Sequence, residues 1–282
     1  MKPYDLGLYE KSMPNSLSLP EKLREARNAG FDYLELSIDE SDEKLARLSW
    51  SEKELQALWL AQRQAGLPIR SICLSGHRRF PMGDPDPAVR QRSQELLRGA
   101  VDLAGALGVR LIQLAGYDVY YQSSSAETVE YFGQGLRQAV DYAAERGVLL
   151  GFETMETDFM NTVEKAMRWV EQLHSPYLQV YPDVGNLTNA ALTCGHSLCG
   201  DLRKGAGHLA AVHLKESRPG VFRKVPFGQG HVDFPLAAGC AAQLGVRMFV
   251  GEFWYAGQEN WRDDLRSSCG FLRRALNTAF SA

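Results

Sequence analysis

Residues 149–186 read LLGFETMETDFMNTVEKAMRWVEQLHSPYLQVYPDVGN. A short apolar run, LLGFET, gives way to NTVEKAMRWVEQLH, whose apolar residues recur at helical spacing, and then to a second apolar run, LQVYPDVGN. Strand, helix and strand over about 30 residues make one βαβ step. Each apolar run carries a carboxylate near its end, Glu153 in the first and Asp183 in the second. The pattern continues with LAAVHLKES (209–217), which carries His213, and MFVGEFW (248–254), which carries Glu252. The four residues stand 30, 30 and 39 positions apart. Polar residues at the ends of otherwise apolar strands rarely serve packing. On consecutive parallel strands of a barrel they converge at the C-terminal face, where such barrels place catalytic groups.

Working outward, four more apolar runs of strand length precede these: DLGLYEK (5–11), FDYLELSI (31–38), IRSICLS (69–75) and RLIQLAG (110–116). Helix candidates lie between them. SLPEKLREARNAG has a serine cap, proline in the first turn and glycine at its end, and SEKELQALWLAQRQAG carries Leu55, Leu58, Trp59 and Ala65 on one stripe. Gly30, Gly108 and Gly147 each precede an apolar strand, which is the αβ-turn signature of repeated units. Eight nearly continuous apolar strands alternating with helices predict a closed (β/α)8 TIM barrel, with residues 1–282 as one domain. A doubly wound sheet is the alternative, but no G-x-G-x-x-G opens a helix.

The bulk properties are those of an ordinary α/β protein. The chain has 282 residues and a net charge of −3, which gives no basic footprint for nucleic acid. No apolar run approaches the ~18 residues needed to span a bilayer, and MKPYDLGLYEK lacks a signal-peptide core; no membrane partner and a cytoplasmic location are expected. The five cysteines, Cys73, Cys194, Cys199, Cys240 and Cys269, are odd in number and lack CxxC spacing, which predicts reduced thiols rather than a disulfide framework. Cys194, His196 and Cys199 form no zinc cluster on this reading, because no second pair completes a tetrahedral site.

Glu153, Asp183, His213 and Glu252 offer nitrogen and oxygen ligands with no thiolate. That set suits one divalent ion, Mn²⁺, Mg²⁺, Co²⁺ or Zn²⁺, in an open site. A Lewis acid there polarises a carbonyl and assists removal of a neighbouring C–H proton. Asp183 and His213 are assigned as metal holders, and Glu153 and Glu252 as both holders and the acid/base pair. His213 needs an acceptor for its free ring N–H, which the sequence does not identify. Basic loops offer candidate phosphate contacts. They are His77, Arg78 and Arg79 after the third strand, and Lys215, Arg218, Arg223 and Lys224 after the seventh. The stretch Ser217–Asp233 lacks periodicity and is expected to cover the site.

The segments GLYEK (7–11), FDYLELSIDE (31–40), CLSGHRRFPMG (73–83), IQLAGYDVYYQ (112–122), FETM (152–155), YPDVGN (181–186), VHLKES (212–217), PGVFRKVPFGQGHVDF (219–234) and GEFW (251–254) resemble the sugar-phosphate isomerase/epimerase superfamily with a xylose-isomerase-like barrel. Within it, the chain is similar to the L-ribulose-5-phosphate 3-epimerases, also called L-xylulose 5-phosphate 3-epimerases, of L-ascorbate and L-xylulose use. The resemblance implies metal ligands at Glu153, Asp183, His213 and Glu252, with Glu153 and Glu252 catalytic. It implies removal of the C3 proton, a cis-enediolate and reprotonation on the other face. It also suggests a homodimer. Free-ketohexose epimerases of this kind have a substrate-binding histidine three residues after the metal aspartate, where this chain has Asn186. They have an arginine six residues after the ligand histidine, where this chain has Pro219, with Arg218 beside it. Both departures point to a phosphorylated pentulose, with Asn186 among its contacts.

Three other functions fit parts of the pattern. An aldose–ketose isomerase of the hexulose-6-phosphate isomerase type would use the same site and differ in product. A phosphodiesterase would need more metal histidines and a basic groove. A non-catalytic sugar-phosphate-binding barrel would be marked by loss of the ligand set, which is intact.

Overall fold

The computed structural model describes residues 2–281. In chain order the elements are β1 (Asp5–Tyr9), α1 (Leu19–Asn28), β2 (Tyr33–Ile38), α2 (Asp42–Leu45), α3 (Glu52–Ala65), β3 (Ile69–Leu74), α4 (Pro87–Leu107), β4 (Leu111–Ala115), α5 (Ala126–Glu145), β5 (Leu149–Glu153), α6 (Val163–Leu173), β6 (Leu178–Val180), α7 (Val184–Cys194), α8 (Leu198–Lys204), β7 (Val212–Leu214), α9 (Phe234–Gln243), β8 (Met248–Gly251) and α10 (Trp261–Ser281). All eight expected strands are present. They pair in parallel in the order β6-β5-β4-β3-β2-β1-β8-β7. The seam between β6 and β7 closes through two parallel bridges, Val180 with Leu209 and Asp183 with His213. The backbone bonds Ala210 N to Val180 O (2.9 Å) and His213 N to Pro182 O (2.9 Å) secure it. The result is the (β/α)8 barrel that the alternation predicts.

Strand side chains alternate between two layers. Leu34, Leu36 and Ile38 of β2 join Leu6, Leu8, Ile72 and Leu74 in the core shared with the helices. Tyr33, Cys73, Leu111, Tyr181 and Val250 form a separate cluster inside the barrel. Burial on both faces explains why the strands read as continuous apolar runs. Gly30, Gly108 and Gly147 adopt positive φ of 96°, 73° and 64° before their strands, a conformation that a β-carbon would strain.

The first two β/α units are tied together by charge. Glu10, just after β1, accepts bonds from Lys22 (3.0 Å), Arg47 (2.6 and 2.9 Å) and Lys44, all buried.

Two expectations need correction. LQVYPDVGN is strand only to Val180, and LAAVHLKES only from Val212 to Leu214. Pro182 has no N–H to give to a ladder, and Asp183 accepts from Asn186 N (2.7 Å) as the cap of α7. Its site-facing carboxylate is therefore a helix cap as well as a strand-end residue. The five cysteines are also not all thiols. Cys199 and Cys240 form a disulfide, with Cα atoms 5.8 Å apart. They are 41 residues apart in sequence and meet because α8 packs on α9. Cys73, Cys194 and Cys269 are free. Among the described residues no helix is long and apolar enough to cross a membrane.

Candidate active site

Glu153 is the last residue of β5, His213 the middle of β7, and Glu252 follows β8 directly. With Asp183 they offer four ligand atoms within 4.8 Å of one another, all from buried residues. His213 Nδ1 lies 3.0 Å from Glu153 Oε1 and 3.3 Å from Glu252 Oε2. Asp183 Oδ2 and Glu252 Oε2 are buried without a hydrogen-bond partner. Lys215 and His213 stand near these oxygens without an aligned hydrogen bond, so a bound divalent cation would recover more of the cost of burying them. The donor set and these two atoms fit a divalent metal ion.

The charge balance points the same way. Burial and the Glu252 charge push the Glu153 carboxyl up from its ordinary range. Burial pushes Asp183 well up, despite the opposing charge of Lys215. Burial works against ionisation of Glu252 too, yet Lys215 and His213 hold it below the usual range. Burial would lower His213, but Glu35, Glu252 and Glu153 raise it well above the ordinary histidine value. Carboxylates outnumber cations in a dry space, and protons fill the deficit that a divalent cation would remove.

Lys215 and Asn186, both sequence candidates, lie inside this cluster. Lys215 Nζ donates to Asn186 Oδ1 (2.8 Å) and sits 3.2 Å from Asp183 Oδ2 and 3.8 Å from Glu252 Oε2. Asn186 Nδ2 donates to Thr154 O (2.7 Å), which ties the start of α7 to the end of β5. Arg78 reaches the wall of the mouth. It is half-buried, stacks 5.0 Å over the Tyr120 ring, and its Nε has no partner among the described residues. Three more of the basic candidates, His77, Arg79 and Arg218, lie elsewhere. His77 turns toward α4, where Nε2 lies 3.2 Å from Ser93 O, and burial lowers its pKa to about 4. Arg79 pairs with Asp42 (2.6 Å), and Arg218 donates to Gln229 O (2.8 Å).

The aperiodic stretch after β7 does span the mouth. Glu216 accepts backbone N–H bonds from Ser217 (3.1 Å), Gly228 (2.9 Å) and Val232 (3.1 Å), so one buried carboxylate folds the loop. Gly230 packs so closely on Glu216 and Ser217 O that no β-carbon fits there. From this loop Arg223 donates to Glu156 (2.7 Å) and to Tyr120 OH (3.1 Å), across to the segments after β5 and β4. Trp254 and Tyr9 pack edge to face beside Lys215.

The xylose isomerase-like TIM barrel family model matches residues 23–275. SgbU of Escherichia coli K12 is 47% identical over 261 residues, 90% of each chain. UlaE of Salmonella paratyphi C RKS4594, an L-ribulose-5-phosphate 3-epimerase, is 43% identical over 282 residues, 99% of this chain and 97% of that one. The chain belongs to the L-ribulose-5-phosphate 3-epimerase family. Members of this family are carbohydrate epimerases, and so is this chain. The fold extends further. D-allulose 3-epimerase from Methylomonas sp. superposes with a TM-score of 0.78 at 18% identity, over 97% of this chain and 98% of that one. An L-ribulose 3-epimerase gives 0.76 at 19% identity, over 98% and 95%.

Two residues of this family member were not picked out from the sequence. Gln113, on β4, donates through Nε2 to Glu153 Oε2. Glu35, in the middle of β2, lies 2.7 Å from His213 Nε2 and is the acceptor that the imidazole lacked. The available signal was a single carboxylate inside YLELSI, a strand buried at every position.

Proposed function

We propose that the chain epimerises a ketopentose 5-phosphate at C3, interconverting L-xylulose 5-phosphate and L-ribulose 5-phosphate. One observation carries this reading: Glu153 and Glu252, from strands that flank β6 and β7, both approach His213 Nδ1, at 3.0 and 3.3 Å. A C3 epimerisation needs two proton carriers on opposite faces of one carbon.

One glutamate takes the proton from C3. The C–H electron pair becomes the C2–C3 double bond, and the C2 carbonyl oxygen takes up the displaced charge as an enediolate. The other glutamate returns a proton to C3 on the opposite face while the carbonyl re-forms. No atom or electron is gained over the cycle. The two glutamates exchange charge states, so each serves as acid in one direction and base in the other. Glu153, Asp183, His213 and Glu252 would hold one divalent ion, Mn²⁺, Mg²⁺, Co²⁺ or Zn²⁺, whose Lewis acidity makes a proton beside a ketone more acidic. Gln113 fixes Glu153, and Lys215 keeps a positive charge beside Asp183 and Glu252. Trp254, Tyr9 and the loop after β7 limit water at the reacting carbon. Arg78, with an unpartnered Nε, is the phosphate contact, and Asn186 acts through Lys215.

L-Xylulose 5-phosphate supplied to the purified, metal-loaded protein should give L-ribulose 5-phosphate, identified by NMR. Appearance of an aldose 5-phosphate instead would assign the site to aldose–ketose isomerisation.

A further inference from the structure

We infer that Glu35 is a positioning residue: it fixes His213 as a metal ligand through Nδ1 by holding the hydrogen on Nε2. This rests on reading the four-residue cluster as a metal site.

Glu35 and His213 are both fully buried inside the barrel. Glu35 Oε1 lies 2.7 Å from His213 Nε2, while Oε2 accepts from Ser71 Oγ (2.8 Å) and Tyr181 OH (2.9 Å). Among the described residues, no lysine or arginine nitrogen lies within 4.0 Å of this carboxylate; its single ionic partner is His213. A buried carboxylate without a lysine or arginine is costly unless its hydrogen-bond partners compensate. Here three donors converge on two oxygens. Both hydroxyls have their hydrogens committed to Glu35, so the imidazole supplies the third from Nε2.

That assignment leaves Nδ1 for the other side. Nδ1 faces Glu153 and Glu252, the two groups that with Asp183 complete the ligand set. The two ring nitrogens therefore have separate duties, set by a residue on the far side of the ring from the mouth. Tyr181 adds a second constraint, since its ring packs edge-on against the His213 ring, 4.7 Å between centroids. Glu35 adds more than orientation. Its negative charge on the outer nitrogen makes the inner nitrogen a better donor, as carboxylate partners of metal-bound histidines do. Removing such a partner typically weakens metal affinity by 10–100-fold.

Glu35→Gln is the sharpest substitution. Glutamine keeps an oxygen for Nε2–H and presents its amide to the Ser71 and Tyr181 hydroxyls, which can rotate to accept. Shape and tautomer survive, and charge is lost. Zn²⁺ affinity is read by chelator competition at fixed pH, with a thermal melt of the metal-free protein as the folding control. Affinity should fall 10–100-fold in Glu35→Gln while the metal-free melt stays close to that of the unaltered protein. Equal affinity in the two proteins would overturn the inference and leave the metal site standing. No binding by the unaltered protein would overturn the metal reading and this inference together. Should Glu35→Gln fail to fold, the unaltered protein labelled with ¹⁵N-histidine and loaded with ¹¹³Cd²⁺ decides the matter. Cadmium coupling should appear on Nδ1 of one histidine, with its proton on Nε2. Coupling to Nε2 would overturn the assignment.

Discussion

Asp183 and His213 face each other in a parallel bridge across the seam where the barrel closes. Both belong to the candidate metal cluster, so the junction joined by isolated bridges rather than a strand ladder is also where the functional groups gather. β6 and β7 are three residues long, and their contact is bridges rather than a continuous ladder.

A cation bound to both residues should therefore clamp the barrel shut. Ligand at 100 times its dissociation constant stabilises the folded state by about 2.7 kcal/mol. For a chain of this size that corresponds to a rise of roughly 5 °C in Tm. Calorimetry with and without Mn²⁺ or Zn²⁺ measures it, and a chelator should reverse it. An unchanged Tm would count against a metal across the seam.

The two-glutamate scheme predicts that Glu153→Gln and Glu252→Gln each lower kcat by about 10²–10⁴-fold, the usual scale for losing a general acid or base. Glu216→Gln should lower kcat far less than either, because Glu216 bonds to amides of the covering loop and carries no proton to or from the substrate. An active Glu252→Gln variant would rule out the scheme.

The disulfide makes a stability prediction. Cys199–Cys240 closes a span of 41 residues, for which loop entropy gives about 4 kcal/mol. Urea melts of Cys240→Ser against the unaltered protein measure the loss. Peptide mapping without reductant should recover the two cysteines joined.

His77 predicts acid sensitivity. Its folded pKa, lowered to about 4 by burial, lies below the unfolded value of about 6.5. The unfolded chain therefore binds the proton first, and stability is lost as pH falls from about 6.5 toward 4. At pH 5 this amounts to about 2 kcal/mol. Urea melts at pH 7.5 and pH 5 should show a smaller difference for His77→Gln than for the unaltered protein. Equal differences would show that His77 titrates normally.

The barrel was legible because strands buried on both faces must be apolar throughout, while helices buried on one face show a 3.6-residue period. The same logic located Glu153, Asp183, His213 and Glu252, which interrupt apolar strands near their ends. Glu35 broke the rule in the middle of a strand, and nothing in one sequence says which strand-interior carboxylate will meet which imidazole; β2 and β7 are far apart in the chain and joined only by barrel closure. The disulfide was hidden for a related reason, since its cysteines sit on helices whose packing follows from the finished fold. His77, Arg78 and Arg79 are consecutive, but a single 3-10 turn at Gly76–Arg78 sends them in different directions.

The central claim is proton exchange at C3, and isotope incorporation tests it most directly. L-Ribulose 5-phosphate incubated in D₂O with the Mn²⁺-loaded protein should acquire deuterium at C3, in both epimers, as read by ¹H NMR. No exchange at C3 with any divalent metal, or deuterium entering at C1 alone, would contradict the account.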